Sequence, residues 1–186
     1  MRWDGLFGDL DAQWHAASQE EAEREINERA RVEAALVSLA DALRGSLGEE
    51  IAALMRNGVV HHGTVARVED QWFLLREAGS SVILPLAKLL KVQGLGSTRA
   101  QQPGRIRYTL ASALRILARN RAAVVVELDS AQTAVVRGVV DQVGADFMVL
   151  TQLADGVGRG RANQQGSVVV PLAAVAAVVS SAENEF

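Results

Sequence analysis

The sequence contains no cysteine among its 186 residues. This absence excludes disulfide bonds, thiol catalysis and metal sites with cysteine ligands. The chain also has no apolar run close to the ~20 residues that a membrane-spanning helix needs. Its first residues lack the basic start and continuous apolar stretch of a signal peptide. We therefore predict a cytoplasmic protein that does not enter a membrane.

Lysine and aromatic residues are scarce. Of the 19 basic residues only Lys88 and Lys91 are lysine, and aromatic residues make up 4% of the chain. Arginine in place of lysine, with many Ala, Gly and Val residues, is typical of a bacterial genome rich in G and C. Hydrophobic residues make up 49% of the chain, which is enough for a buried core and excludes a disordered protein.

The net charge of −3 hides a segregation along the chain. Residues 1–50 hold twelve acids and five arginines, a balance of −7, and residues 51–186 hold ten acids and fourteen bases, a balance of +4. No acid lies between Glu77 and Glu127. This asymmetry indicates nucleic acid or another anionic partner, while arginines on solvated faces would give the same pattern. The candidate nucleic-acid-binding residues are Arg99, Arg105, Arg107, Arg115, Arg119, Arg121, Arg159 and Arg161.

One sequence pattern occurs twice, over 57–92 and over 133–178. In each copy a glycine (Gly63 or Gly138) starts an apolar segment, an aromatic residue follows nine residues later, and a Pro-Leu-Ala segment comes after a loop. A similar helical segment precedes each copy. Such repetition predicts two copies of one fold. The loop over 154–167 in the second copy is long and rich in glycine, and we expect it to be mobile.

The start of the chain does not belong to the repeat. Residues 18–44 have the pattern of one long helix, with a capping box from Ser18 to Glu21 and a glycine stop at Gly45. Before it, a short stripe of apolar residues is either a docking peptide for another protein or a cap on the core. This stripe, with spacings of four, three and four residues, consists of Trp3, Phe7, Leu10 and Trp14.

Each copy has the pattern of a helix followed by five short strands. Five short, bent antiparallel strands close most economically as a small barrel. We therefore predict a mainly β fold with two tandem SH3-like five-stranded barrels, each preceded by a helix, and with Trp72 and Phe147 in their cores. The predicted divisions are 1–33 for the N-terminal peptide and projecting helix, 34–95 for the first barrel, 96–107 for a linker and 108–182 for the second barrel.

The stretch from Asn57 to Leu75 resembles the first motif of Sm-like proteins, and of bacterial Hfq in particular. It has an Asn-Gly turn, a glycine five residues later, an acid at Glu69 and an apolar strand. The segment Val82–Val92 lies where the second Sm motif belongs. Other SH3-like small barrels share much of this pattern. The resemblance implies two tandem Sm-like barrels and homo-oligomeric assembly into rings through the edge strands of the barrels.

Three positions depart from the Sm pattern. Phe73 occupies the place of an asparagine that contacts RNA in Sm proteins of the eukaryotic type. Leu84-Pro85-Leu86 replaces the Tyr-Lys-His segment of Hfq, and Gly144 occupies the acid position of the second copy. The uridine pocket of the family is absent by residue type, so the resemblance assigns no nucleotide site to these positions.

No catalytic signature occurs in the sequence. His61 and His62 are neighbours in a predicted strand and point to opposite faces, so they are unsuited to bind one metal ion together. The glycine-rich run 156–160 lacks the Lys-Ser/Thr ending of a phosphate-binding loop. No segment brings together a nucleophile, a base and oxyanion donors. We predict a protein that is not an enzyme and that uses no metal or cofactor.

Two functions remain open from the sequence. The first is binding of RNA or single-stranded nucleic acid through the arginines, since arginine pairs with phosphate and stacks on bases. The second is a protein-interaction adaptor that docks through the aromatic peptide 2–14 and the charged helix. Steep salt dependence would distinguish the first from the second.

Overall fold

The computed structural model of the protein describes residues 14, 19, 21, 24–29, 31–32, 34–100, 107–132, 134–153 and 164–181. The chain forms two compact units, Met1–Ser38 and Leu39–Phe186. In the described part of the chain, no helix is long and apolar enough to cross a membrane.

The prediction of one long helix over 18–44 is wrong. Described residues within 24–36 have helical backbone, but Val37 and Ser38 do not, and a separate helix of six residues begins at Leu39. At the end of the first helical stretch the Val37 amide donates to the Ala34 carbonyl at 3.3 Å. Val and Ser both have modest helix propensity, and Ser is a preferred residue before a helix start, so this pair favours an interruption.

The second unit contains two repeats with the same order of elements. The first repeat consists of α1 (Leu39–Arg44), β1 (Glu50–Met55), β2 (Val60–Val68), β3 (Trp72–Glu77), β4 (Ser80–Pro85) and β5 (Leu89–Gln93). The second repeat consists of α2 (Leu110–Arg119), β6 (Ala123–Leu128), β7 (Val135–Val143), β8 (Phe147–Leu153), β9 (Gln164–Pro171) and β10 (Val175–Ser181). The Pro-Leu-Ala segments form the single 3₁₀ turns Leu86–Lys88 and Leu172–Ala174, as the fixed φ of proline favours.

The ten strands form one open antiparallel sheet, and the prediction of two separate five-stranded barrels is wrong. The strand order is β5-β1-β2-β3-β4-β10-β6-β7-β8-β9. The reason is the pairing of β10, which binds β6 of its own repeat on one side and β4 of the first repeat on the other. The edge of β4 that does not pair with β3 therefore forms its backbone hydrogen bonds with β10 of the second repeat, and the first repeat does not close into a barrel.

The two repeats share their strand register, including the irregularities. β2 and β3 shift register between Val65 and Arg67, and β7 and β8 shift between Val140 and Gln142. The pairings of β5 and of β10 with the first strand of their own repeats shift at matching positions as well. The equal spacing around the two repeat glycines therefore corresponds to equal structure.

Gly63 and Gly138 occupy the same tight place in the two repeats. A Cβ atom at Gly63 would collide with the carbonyl oxygen of Arg76 on β3, and one at Gly138 would collide with that of Thr151 on β8. The close approach of two backbones leaves no room for a side chain. The sequence interpretation of Gly63 as a position that requires a missing side chain is confirmed.

Buried side chains form two clusters. The first cluster belongs to the first repeat and includes Leu43 of α1 and Phe73 of β3, together with Ala177 of β10. The second combines the core of the second repeat with Trp72 and Ile83 of the first repeat. The first four residues of β3 are consequently buried on both faces, because the second repeat covers the face that the first cluster leaves free.

The prediction that Trp72 and Phe147 fill equivalent barrel cores is wrong. Trp72 is 1% exposed, but it lies in the second cluster and its indole Nε1 donates to the Tyr108 carbonyl at 2.9 Å. Phe147 is only partly buried and its ring lies against Gly144. Because alternate strand residues face opposite sides, the core position of the first repeat is taken by the next residue, Phe73.

Candidate functional site: the arginine face of α2

The helix α2 presents one apolar and one basic face. Thr109 caps its start, with the side-chain oxygen accepting a bond from the Ser112 amide at 3.2 Å. The apolar face is fully or almost fully buried and consists of Leu110, Ala111, Ala113, Leu114 and Leu117. Arg115 and Arg119 lie four residues apart on the opposite, exposed face, where residues at this spacing are neighbours.

The name arginine face is used here for Arg115 and Arg119 on α2 together with Arg121, which follows two residues after the end of the helix. Arg115 donates its guanidinium to the carbonyl of Gly144 at 2.9 Å and to that of Val143 at 3.4 Å, which fixes its position and leaves its charge uncompensated. Arg121 follows the helix with a positive φ of 47° and is exposed. In the described part of the chain none of the three forms a salt bridge, so their charges are available to an anionic ligand.

The other candidate arginines are placed differently. Arg107 forms a salt bridge with Asp70 at 2.9 Å, and Arg99 donates to the carbonyls of Gly96 and Thr98 at 2.7 Å. The Arg107 contact holds the chain before α2 against the first repeat, whereas the contacts of Arg99 lie within the connection between the repeats. Arg105, Arg159 and Arg161 lie outside the described residues.

Glu69, the acid at the Sm-motif position, is buried and forms hydrogen bonds within the protein. Glu69 is 4% exposed, and its carboxylate accepts bonds from the Arg67 side chain at 2.9 Å and from the Tyr108 amide at 3.4 Å. The Arg67 guanidinium lies 4.8 Å from the centre of the Tyr108 ring and 5.8 Å from that of Trp72. This group anchors the chain just before α2 and so positions the start of the arginine face.

A buried polar cluster joins the two repeats, and the sequence reasoning did not find it. His61 on β2 is 5% exposed, with Nδ1 3.1 Å from Glu77 and Nε2 3.3 Å from Glu127 on β6. The Asn57 side-chain amide donates to the same Glu127 oxygen at 3.0 Å. His62 is exposed, which confirms that the two histidines point to opposite faces. No sequence signal links Glu127 to His61, because 66 residues separate them.

The charges in this cluster reinforce one another. Burial lowers the pKa of His61, but its hydrogen bonds to Glu127 and Glu77 and their negative charges outweigh burial, and the pKa is raised above 6.5. The hydrogen bond from His61 lowers the pKa of Glu127 below 4.5, against the opposing effect of burial. Because carboxylates occupy both ring nitrogens, the arrangement is an ion-pair network and not a free base for catalysis. Within the described residues, no group of three or more His, Asp or Glu side chains is placed to hold a metal ion.

The N-terminal unit exposes several large apolar side chains. Trp14 is 78% exposed and Leu36 is 79% exposed, and Ile26 and Val32 are exposed as well. Trp3, Phe7 and Leu10 lie outside the described residues. The one described member of the aromatic stripe is thus accessible.

Comparison of the chain with protein-family models, with curated proteins and with solved structures gives no match.

Proposed function

We propose that this protein binds RNA or single-stranded DNA through the arginine face of α2. The observation that carries the proposal is the grouping of Arg115, Arg119 and Arg121, which are exposed and without salt bridges in the described part of the chain. Other arginines in the described repeats, such as Arg44 and Arg67, are paired with carboxylates. Phosphate groups of a nucleic acid backbone match this arrangement because guanidinium groups bind them by charge and by paired hydrogen bonds.

Two further features support the proposal. The resemblance of 57–75 to the first Sm motif points to a class of RNA-binding proteins, although the residues of the familiar uridine pocket are replaced. Arg115 is held in place by backbone carbonyls, so less side-chain entropy is lost when a phosphate binds. The absence of that pocket favours contact with the phosphate backbone over reading of individual bases.

The test is a double charge reversal, Arg115→Glu with Arg119→Glu, measured by fluorescence anisotropy against mixed-sequence RNA and single-stranded DNA. We expect affinity to fall about tenfold or more, and the slope of log affinity against log salt to fall by about 1.4, the value for two lost phosphate contacts on a single strand. The matched control is Arg31→Glu with Arg76→Glu, which changes the net charge equally at two other exposed arginines. Equal losses in both variants, or no binding by the parent at low salt, would contradict the proposal.

A second candidate function, docking to a partner protein, is favoured by the exposed apolar residues of the N-terminal unit. Trp14, Ile26 and Leu36 are large side chains that a partner would remove from water. Deletion of residues 1–37 should abolish such binding and leave nucleic acid affinity within about twofold, because the arginine face is retained. A nucleic acid affinity that depends on these residues would point to a different site.

A further inference from the structure

The only tyrosine of the chain presents a fixed and accessible ring just before α2. The Tyr108 amide donates to the Glu69 carboxylate at 3.4 Å, and the Tyr108 carbonyl accepts a bond from the Trp72 indole at 2.9 Å. Both polar groups of its backbone are thus attached to the first repeat, yet Tyr108 remains 40% exposed. A ring that is held by its own backbone loses little freedom when a ligand covers it.

A guanidinium group covers one face of this ring. Arg67 lies 4.8 Å from the centre of the Tyr108 ring, within the range of a cation–π contact. A salt bridge of 2.8 Å to Glu69 holds Arg67 in this position. Because one face of the ring is occupied, the exposed part of Tyr108 belongs to its opposite face and its edge. We call Tyr108, with Arg67 beneath it, the Tyr108 platform.

The carboxylates near the Tyr108 platform are paired with arginines. Glu69 is paired within the platform. Asp70 binds Arg44 at 2.6 Å and Arg107 at 2.9 Å. The Arg107 side chain, next to Tyr108 in the chain, is itself 77% exposed. A phosphate group that approaches the platform therefore meets acids whose charges are already compensated.

The Tyr108 platform and the arginine face lie along the same helix. Tyr108 directly precedes Thr109, the residue that caps α2. Arg115 lies five residues after Leu110, the first residue of the helix, which is about 8 Å along the helix axis. An extended strand that follows α2 would thus reach the aromatic ring and the guanidinium groups within a few nucleotides.

We propose that the Tyr108 platform binds one unpaired base of a single strand by stacking, next to the phosphates bound by the arginine face. The inference rests on the proposed function, because the arginine face supplies the charge that attracts the strand. Every base has a flat π face, so stacking on an aromatic ring needs no base-reading pocket. In a duplex the bases are stacked on one another and their faces are covered, so the platform selects single strands over duplexes.

The experiment compares two fluorescently labelled strands of equal length with the full chain: oligo-deoxythymidine, and the same backbone with abasic sites in place of the bases. The parent should bind the strand with bases about fivefold or more tightly than the abasic strand, which is the effect of one stacked base. This comparison needs no substitution and does not depend on the folding of a variant.

Substitutions then locate the stacking. Tyr108→Ala should bind both strands as the parent binds the abasic strand, and Tyr108→Phe should keep the preference because it keeps the ring. Trp14→Ala is the matched control, since it removes another exposed aromatic side chain, 78% exposed, and should bind like the parent. The slope of log affinity against log salt should be the same for Tyr108→Ala and the parent, because no phosphate contact is lost. A duplex should bind to both of them alike.

The outcomes separate this inference from the proposed function. A parent that binds both strands equally overturns the Tyr108 platform and leaves binding through the arginine face intact. A Tyr108→Ala variant that keeps the preference for the strand with bases also overturns the platform, because the base then stacks elsewhere. A parent that binds neither strand at low salt overturns the proposed function and the platform together.

Discussion

Trp72 and Phe147 occupy the same position in the sequence pattern but should contribute very differently to stability. Trp72 is 1% exposed, packs in the core that the two repeats share, and donates a hydrogen bond to Tyr108. Its replacement by alanine should cost about 3–5 kcal/mol, as for other core aromatic residues. Phe147→Ala should cost about 1–2 kcal/mol, because only part of its ring is removed from water.

Urea denaturation followed by far-UV circular dichroism measures both effects without relying on the fluorescence of the residue that is changed. With a slope of about 2 kcal/mol per molar urea, the midpoint should fall by about 1.5–2.5 M for Trp72→Ala and about 0.5–1 M for Phe147→Ala. Trp72→Phe keeps much of the ring and loses the bond to Tyr108, so its midpoint should lie between that of Trp72→Ala and that of the parent. Equal decreases of the urea midpoint in Trp72→Ala and Phe147→Ala would mean that the two positions are buried alike. That result would contradict the placement of Trp72 in a core to which both repeats contribute.

Two further predictions concern stability. The ion pairs of His61 should stabilise the fold most between about pH 4.5 and 6.5. Because the pKa of His61 is raised, the stabilisation that His61 contributes is complete below pH 6.5 and is lost as pH rises through its folded-state pKa. Because the pKa of Glu127 is lowered, the stabilisation that Glu127 contributes is lost as pH falls below 4.5. The melting temperature should therefore fall between about pH 6 and about pH 8, and His61→Gln should flatten this fall; a parent that melts alike at both values would contradict the assignment. Gly63→Ala and Gly138→Ala should each cost about 1–3 kcal/mol in a thermal melt, because the added methyl meets a carbonyl oxygen of the neighbouring strand. A variant that melts with the parent would show that the backbones can separate at little cost.

The repeat and its local features could be predicted from the sequence because they depend on short-range chemistry. The Asn57-Gly58 turn joins β1 and β2 as expected, with Gly58 at a φ of +84° and the Asn57 side chain accepting a bond from the Val59 amide. The proline of each Pro-Leu-Ala segment begins a 3₁₀ turn. These features need only the conformational preferences of a few adjacent residues.

The single sheet could not be predicted because it depends on which strand edges meet. Every β-strand has backbone hydrogen-bonding groups on both of its edges. The sequence does not show whether the second edge of β4 pairs within its own repeat or with β10. The continuous apolar run Trp72–Leu75 was a signal for burial on both faces, which an open strand facing solvent would not need. In the same way, Arg44 is buried against Asp41 and Asp70, and the contact with Asp70, 26 positions further along the chain, could not be predicted from the sequence.

The candidate site was predicted in part. The spacing of Arg115 and Arg119 indicated a shared helix face, and the structure places both on the exposed side of α2. The sequence did not indicate that Arg107 binds Asp70, because that ion pair forms only when the chain before α2 returns to the first repeat. The charge pattern therefore indicated the arginine-rich segment between Glu77 and Glu127, and the fold determines which arginines of that segment form ion pairs with carboxylates.

The pairing of β4 with β10 also has a consequence for how the chain is made. Ser81 and Ser180, which bond across this junction, are 99 residues apart, and β10 is the last strand of the second repeat. During synthesis the first repeat leaves the ribosome with Ile83 and Trp72 still uncovered, and it must wait for nearly the whole second repeat before the sheet is complete. Contacts of such long sequence separation form slowly, and an exposed strand edge in the interval favours aggregation. Premature termination anywhere in the second repeat would therefore release a product with a bare edge, for which quality-control chaperones and proteases have affinity.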